Sequence, residues 1–182
     1  MPKRFVLLDR DGTINVERHY LAHPDQVELI AGAGRGLAAL SKLGLGLIVV
    51  TNQSGVGRGL FDLARLDAIH VRLRALLAAE GVTLDGIFSC PHLPEDGCGC
   101  RKPLAGLVES AARQFDFRPA ECFLIGDKPC DLELGRAIGA TTFLVRTGYG
   151  SQVSDETAAQ AHYVVEDLGQ ASQVIGGLLR CR

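Results

Sequence analysis

The chain of 182 residues carries 19 Lys and Arg against 21 Asp and Glu, a net charge of −2, which argues against nucleic acid or an anionic membrane as a partner. Its 47% of hydrophobic residues argues against a disordered chain and suffices, at this length, for the core of one domain over residues 1–182. No apolar run approaches a membrane span, and the N-terminus lacks a signal peptide's long apolar core, so a cytoplasmic protein is expected.

In chain order, the first predicted element is the strand "RFVLLD" at 4–9, which ends on Asp9, with Asp11 two residues on in "DRDGT". Residues 14–25 can form only a small flap, so no large cap domain is expected. The strand "GLIVVTN" at 46–52 ends on Thr51 and Asn52. A helix is predicted over 62–80, with Leu63, Leu66, Ile69, Leu73, Leu76 and Leu77 on one face, Asp62 as its cap and Gly81 as its stop. The strand "GIFSC" at 86–90 runs into the loop "CPHLPEDGCGC" at 90–100. A helix over 104–115, the strand "CFLIGD" at 122–127, a helix over 131–138, strands at 141–147 and 162–167 and a helix over 167–180 complete the chain.

This alternation predicts an α/β fold, a Rossmann-like three-layer sandwich around a central, mostly parallel sheet. Function in such sheets gathers at the carboxyl ends of the strands. Three of those ends carry polar chemistry here: Asp9 with Asp11, Thr51 with Asn52, and Gly126 with Asp127.

The 90–100 loop holds four ligand-type side chains, Cys90, His92, Cys98 and Cys100, among Pro and Gly residues. They can close a tetrahedral Cys3His zinc site, structural because the protein fills all four positions. The loop leads directly into Arg101 and Lys102, so zinc would hold that lysine in place. Cys122, Cys130 and Cys181 read as small buried or partly buried thiols.

Taken together, Asp-x-Asp-Gly-Thr at 9–13, the strand-end Thr51, Lys102 and Gly-Asp-x-x-x-Asp at 126–131 resemble the haloacid dehalogenase-like phosphatases over roughly residues 4–150. The resemblance implies that Asp9 attacks phosphorus and carries an aspartyl-phosphate. Asp11 would protonate the leaving oxygen and then deprotonate water. Thr51 would donate to the phosphoryl group and Lys102 would hold its charge. The resemblance assigns Mg²⁺ to the Asp9 and Asp127 carboxylates and the Asp11 backbone carbonyl. Asp131 would orient Lys102 or a metal-bound water.

Two branches of that family have such a zinc loop, one acting on a heptose 1,7-bisphosphate and the other on histidinol phosphate. The segments 14–21, 49–61 and 126–128 are more similar to the heptose branch, although Arg18 and His19 depart from its pattern. The expected substrate contacts are Glu17, Arg18, His19, Tyr20, Asn52, Gln53, Ser54, Arg101 and Lys128, with Arg58 a weaker candidate. The partner expected is a small sugar phosphate, with no nucleic acid or membrane, and the chain is expected to act as a monomer.

Overall fold

Alternate residues of the first strand serve two different cores, because successive side chains of a strand point to opposite faces. Val6 and Leu8 pack in one cluster with Leu37, Leu40, Ile69, Leu73, Leu168 and Ile175. Phe5 and Leu7 pack in another with Leu107, Val108, Ala111 and Leu134. The structure is a computed structural model that describes residues 3–181.

Six strands alternate with six helices: β1 (Phe5–Leu8), α1 (Ala33–Lys42), β2 (Gly46–Asn52), α2 (Leu63–Ala79), β3 (Gly86–Cys90), α3 (Gly106–Phe115), β4 (Phe123–Gly126), α4 (Pro129–Ala137), β5 (Thr141–Val145), α5 (Asp155–Ala158), β6 (Tyr163–Val165) and α6 (Leu168–Arg180). They form one sheet in the order β3-β2-β1-β4-β5-β6, parallel at every pairing. Helices α1, α2 and α6 cover one face, whereas α3 and α4 cover the other. The three-layer α/β sandwich expected from the sequence is thus the observed architecture. Among the described residues, no helix is long and apolar enough to cross a membrane.

The predicted elements all form, most of them a residue or two shorter than their apolar runs, and α4 starts two residues early on Pro129. Helix α2 opens as expected, with Asp62 Oδ1 accepting from the Arg65 amide at 2.8 Å. Leu66, Ile69, Leu73 and Leu77 are buried, but Leu63 at the first turn is exposed. The helix α1 was not among those predicted. Its sequence contains Gly34 and Gly36, poor helix formers. The contact with α6 explains Gly36, since a Cβ there would collide with the backbone of Leu168 and Gly169. Cys122 is buried and Cys130 partly so, but Cys181 is exposed, contrary to its expected burial.

The flap is pinned at both ends. Ile30 N donates to Ile14 O at 3.0 Å and Val16 N to Glu28 O at 2.8 Å. Ile14, Leu21 and Val27 anchor it in the core. Among the described residues, no separate domain is inserted between β1 and β2 beyond this flap and helix α1.

Candidate active site

Strands β1, β2 and β4 are neighbours in the sheet, so their carboxyl ends meet. Burial of β1 fixes Asp9 just beyond its last residue, where the Asp9 amide still bonds Ile125 O on β4 at 2.9 Å. Lys102 enters from the loop after β3. Its ammonium lies 2.9 Å from Asp9 Oδ1 and 2.6 Å from Asp131 Oδ1, with all three side chains buried. Burial alone would favour a neutral amine, but the carboxylates of Asp131 and Asp9 outweigh it and hold Lys102 charged. Asp131 is held in turn by the Lys128 amide at 3.1 Å.

Asp11 is held from three sides. Arg10 Nη2 lies 2.9 Å from Oδ1 and 2.8 Å from Oδ2. Asn15 Nδ2 donates to Oδ1 at 2.9 Å, and Gln53 Nε2 to Oδ2 at 2.8 Å. Burial pushes the Asp11 carboxyl upward, but the Arg10 guanidinium and these hydrogen bonds overcome it and leave its pKa below the usual carboxylate value. Gln53 Nε2 also donates to Thr51 Oγ1 at 2.9 Å. Behind Arg10, His70 is pushed down to about 4 by burial and by the neighbouring guanidinium.

Asp127 has the opposite character. Oδ2 accepts from the Tyr149 amide at 2.9 Å, whereas Oδ1 is buried with no partner among the described residues. Burial, and then the Asp9 charge, push its carboxyl up to about 8. Gly12 and Gly148 wall this carboxylate in: both have positive φ, and a Cβ on either would overlap Asp127 Oδ2. A crowded set of buried carboxylates with one orphaned oxygen is what a hard, oxygen-liganded cation satisfies. Asp9, Asp127 and Asp131 can bring ligand oxygens within 4.8 Å of one another, so the residues fit Mg²⁺.

The four zinc-type residues also converge. Cys100 Sγ lies 3.1 Å from Cys90 Sγ, 3.6 Å from Cys98 Sγ and 3.3 Å from His92 Nδ1. Cys90 Sγ lies 3.6 Å from Cys98 Sγ and 3.5 Å from His92 Nδ1. A tetrahedral zinc with bonds of about 2.3 Å to sulfur separates its sulfurs by about 3.8 Å. The donor set and its edges therefore fit zinc with little adjustment.

A cavity of about 240 Å³ opens beside Asp11, with Tyr20, Gln53, Phe61, Arg101 and Lys128 also in its wall. Glu17, His19, Asn52 and Ser54 also line it. Lys128 Nζ bridges to Glu17 Oε2 at 3.1 Å, tying the flap to the loop after β4. Arg101 at the rim donates to His92 O at 3.2 Å. Arg18 is not brought to this cavity: it pairs with Glu28 at 2.6 Å and faces a neighbouring recess. Arg58 stacks over Tyr20, 5.8 Å from the ring centre. Asn52 and Gln53 use their amides inside the protein, on the Lys102 backbone and on Asp11 with Thr51 respectively. Arg10, Asn15 and Thr147 were not expected here. Thr147 Oγ1 donates to Gly12 O at 2.6 Å, locking the turn after Asp11. The only sequence signal for Arg10 and Asn15 is their place within four residues of Asp11.

Comparison with known proteins agrees with this geometry. A HAD-hydrolase-like family model matches residues 99–171. The D-glycero-beta-D-manno-heptose-1,7-bisphosphate 7-phosphatase of Pseudomonas putida is 38% identical over 166 residues, covering 91% of this chain and 95% of that one. The chain belongs to the haloacid dehalogenase-like phosphatases, in the heptose-bisphosphate phosphatase group. The member of that group from Bordetella bronchiseptica is 37% identical over 172 residues, covering 93% of this chain and 96% of its own. The crystal structure of the B. bronchiseptica D,D-heptose 1,7-bisphosphate phosphatase, complexed with magnesium and phosphate, superimposes with a TM-score of 0.85, covering 94% of this chain and 97% of that one. The group resemblance read from the motifs is thus the one found.

Proposed function

We propose that this chain is a Mg²⁺-dependent phosphatase that removes the C7 phosphate of D-glycero-D-manno-heptose 1,7-bisphosphate through an aspartyl-phosphate on Asp9. The observation that carries the reading is the juxtaposition of Asp9, charged Lys102 and the unpartnered Asp127 oxygen, next to a small cavity walled by Asp11 and Lys128. Relatives that this chain matches over 95% and 96% of their length support the substrate: those from P. putida and B. bronchiseptica are named as 7-phosphatases of the β anomer.

Asp9 Oδ1 is engaged by the Arg10 amide at 2.8 Å and by Lys102 at 2.9 Å, which leaves Oδ2 as the attacking atom. Its attack on phosphorus breaks the bond to the C7 oxygen, and the proton that oxygen needs comes from the minor protonated form of Asp11, whose carboxyl Arg10 otherwise holds ionised. Water then attacks phosphorus, Asp11 takes its proton, and Asp9 is freed as phosphate departs. Lys102 and the Thr51 hydroxyl hold the transferring phosphoryl oxygens. Mg²⁺, when bound, would be held by the Asp9 and Asp127 carboxylates and the Asp11 carbonyl and would offset the charge of phosphate and nucleophile. Zinc held by Cys90, His92, Cys98 and Cys100 is assigned a structural role, keeping the approach of Lys102 fixed.

The C7 phosphate is a primary ester on a flexible arm, suited to a narrow cavity. The C1 phosphate would stay at the rim near Arg101, whose planar fork suits paired oxygens. Kinetic comparison of both heptose bisphosphate anomers with histidinol phosphate tests the reading. The bisphosphate should lead in kcat/KM by at least about tenfold. Phosphorus NMR of the product should find the C1 phosphate retained; a retained C7 phosphate, or a preference for histidinol phosphate, would overturn the substrate assignment.

A further inference from the structure

Arg10 is the bulkiest of the fully buried side chains, 1% exposed, and it lies between the two aspartates of the motif. Five of its contacts are made with three side chains, those of Asp11, Gln53 and His70. Nη2 meets both oxygens of Asp11 at 2.9 and 2.8 Å, and Nε meets Oδ1 at 3.2 Å. Nη2 also donates to Gln53 Oε1 at 3.1 Å, and Nη1 lies 3.3 Å from His70 Nε2 on α2. Gln53 then donates to Asp11 and to Thr51 through one amide nitrogen, at 2.8 and 2.9 Å.

A bland reading makes Arg10 merely the counter-charge of a buried carboxylate. A point charge would do for that. A planar fork reaching both oxygens, backed by a second side chain that also holds Thr51, restricts the rotation of the carboxylate as well. We propose that Arg10 is a positioning residue that sets the angle at which Asp11 meets the leaving oxygen, and that Gln53 keeps that angle in register with Thr51. The inference rests on the role given above to Asp11. A proton passes well only along a narrow approach, so a small misplacement costs rate on substrates that need the proton and little on those that do not.

Arg10→Lys keeps the charge and removes the fork. Gln53→Met keeps the bulk and removes the link to Thr51. Each is compared with the wild-type protein on the heptose bisphosphate, on simple alkyl phosphates and on p-nitrophenyl phosphate, with circular dichroism and melting as controls. Arg10→Lys should lower kcat on the alkyl esters by at least about thirtyfold, change KM by less than about threefold, and lower kcat on the aryl ester by less than about fivefold. Gln53→Met should show the same split in smaller measure. Equal losses on alkyl and aryl esters, or no loss, would overturn the proposal. If Arg10→Lys does not fold, the split or its absence in Gln53→Met decides. A wild-type protein active on other alkyl phosphates but inert on the heptose bisphosphate would refute the substrate and leave the test of Arg10 intact.

Discussion

Asn52 and Lys102 lie 50 positions apart and are joined twice: the Lys102 amide donates to Asn52 Oδ1 at 3.0 Å, and Asn52 Nδ2 donates to Lys102 O at 3.1 Å. One side chain at the end of β2 thus clasps the backbone of the lysine carried in by the cysteine loop. Asn52→Ala should leave two backbone groups of Lys102 without their partners, costing about 1–3 kcal/mol in stability. Turnover should fall by about tenfold with a smaller change in KM, because the ammonium drifts while Arg101 and Lys128 stay in the cavity wall. Denaturant titration and steady-state kinetics check both parts.

Asp9→Asn should preserve the fold and remove the nucleophile. Turnover should fall by at least about a thousandfold, and no acid-stable phosphorylated protein should be trapped by rapid quenching. Near-normal turnover in contamination-free protein would sink the assignment.

Lys102→Met leaves Asp9 and Asp131 buried without their shared ammonium. Removing one partner of a buried pair typically costs about 3–5 kcal/mol. The double variant Lys102→Met, Asp131→Leu should regain part of that stability and none of the activity. If the double variant is as active as the wild type, Lys102 does not hold the phosphoryl charge.

The Asp127 carboxyl, raised from 3.8 to about 8, gives a pH prediction with a definite sign. Between those values the unfolded chain has lost the proton that the metal-free folded protein still holds. Its contribution to stability is therefore intact below about pH 4 and is lost as pH rises through about 8. Bound Mg²⁺ offsets the ionised carboxylate, so the rise in melting temperature on adding Mg²⁺ to zinc-replete protein should grow from pH 5 to pH 8. A rise that is constant across this range would count against Asp127 as a ligand.

Protein purified without added metal should contain about one zinc per chain by elemental analysis. Cys98→Ser should lose it, melt lower and turn over more slowly, since the loop carries Lys102. Zinc-free protein in which all six cysteines titrate as free thiols and the melting temperature is unchanged would dismiss a structural metal.

The alternation of apolar runs foretold the layers because a central parallel strand must be apolar on both faces, as "FVLL" in β1 is. It could not foretell the order of strands, which depends on crossovers. The helix α1 escaped because its glycines serve tertiary contacts, Gly36 with the start of α6 and Gly34 with the Glu80 side chain after α2, which local propensity does not reveal. Within the site, the motif carboxylates, Lys102 and the cysteine loop were legible from residue type and spacing. Asn52 and Gln53 read as substrate contacts because they follow Thr51 at a strand end, yet their amides bond inward. Arg10 was invisible for a related reason: an arginine in a turn ordinarily extends into water, and only the fold reveals that this one is enclosed.

The glycine pair around Asp127 limits how the protein can be altered. At positions 12 and 148 the backbone turns left-handed, and the space a methyl group would need is already filled by a carboxylate oxygen. Alanine is therefore refused twice, by conformation and by volume. In a saturation library selected for activity, these two positions should return glycine alone, whereas Arg58, exposed at the rim and free of any carboxylate partner among the described residues, should accept many replacements. Engineers seeking a new substrate range have their freedom at the rim; the floor under the phosphate admits no redesign by single steps.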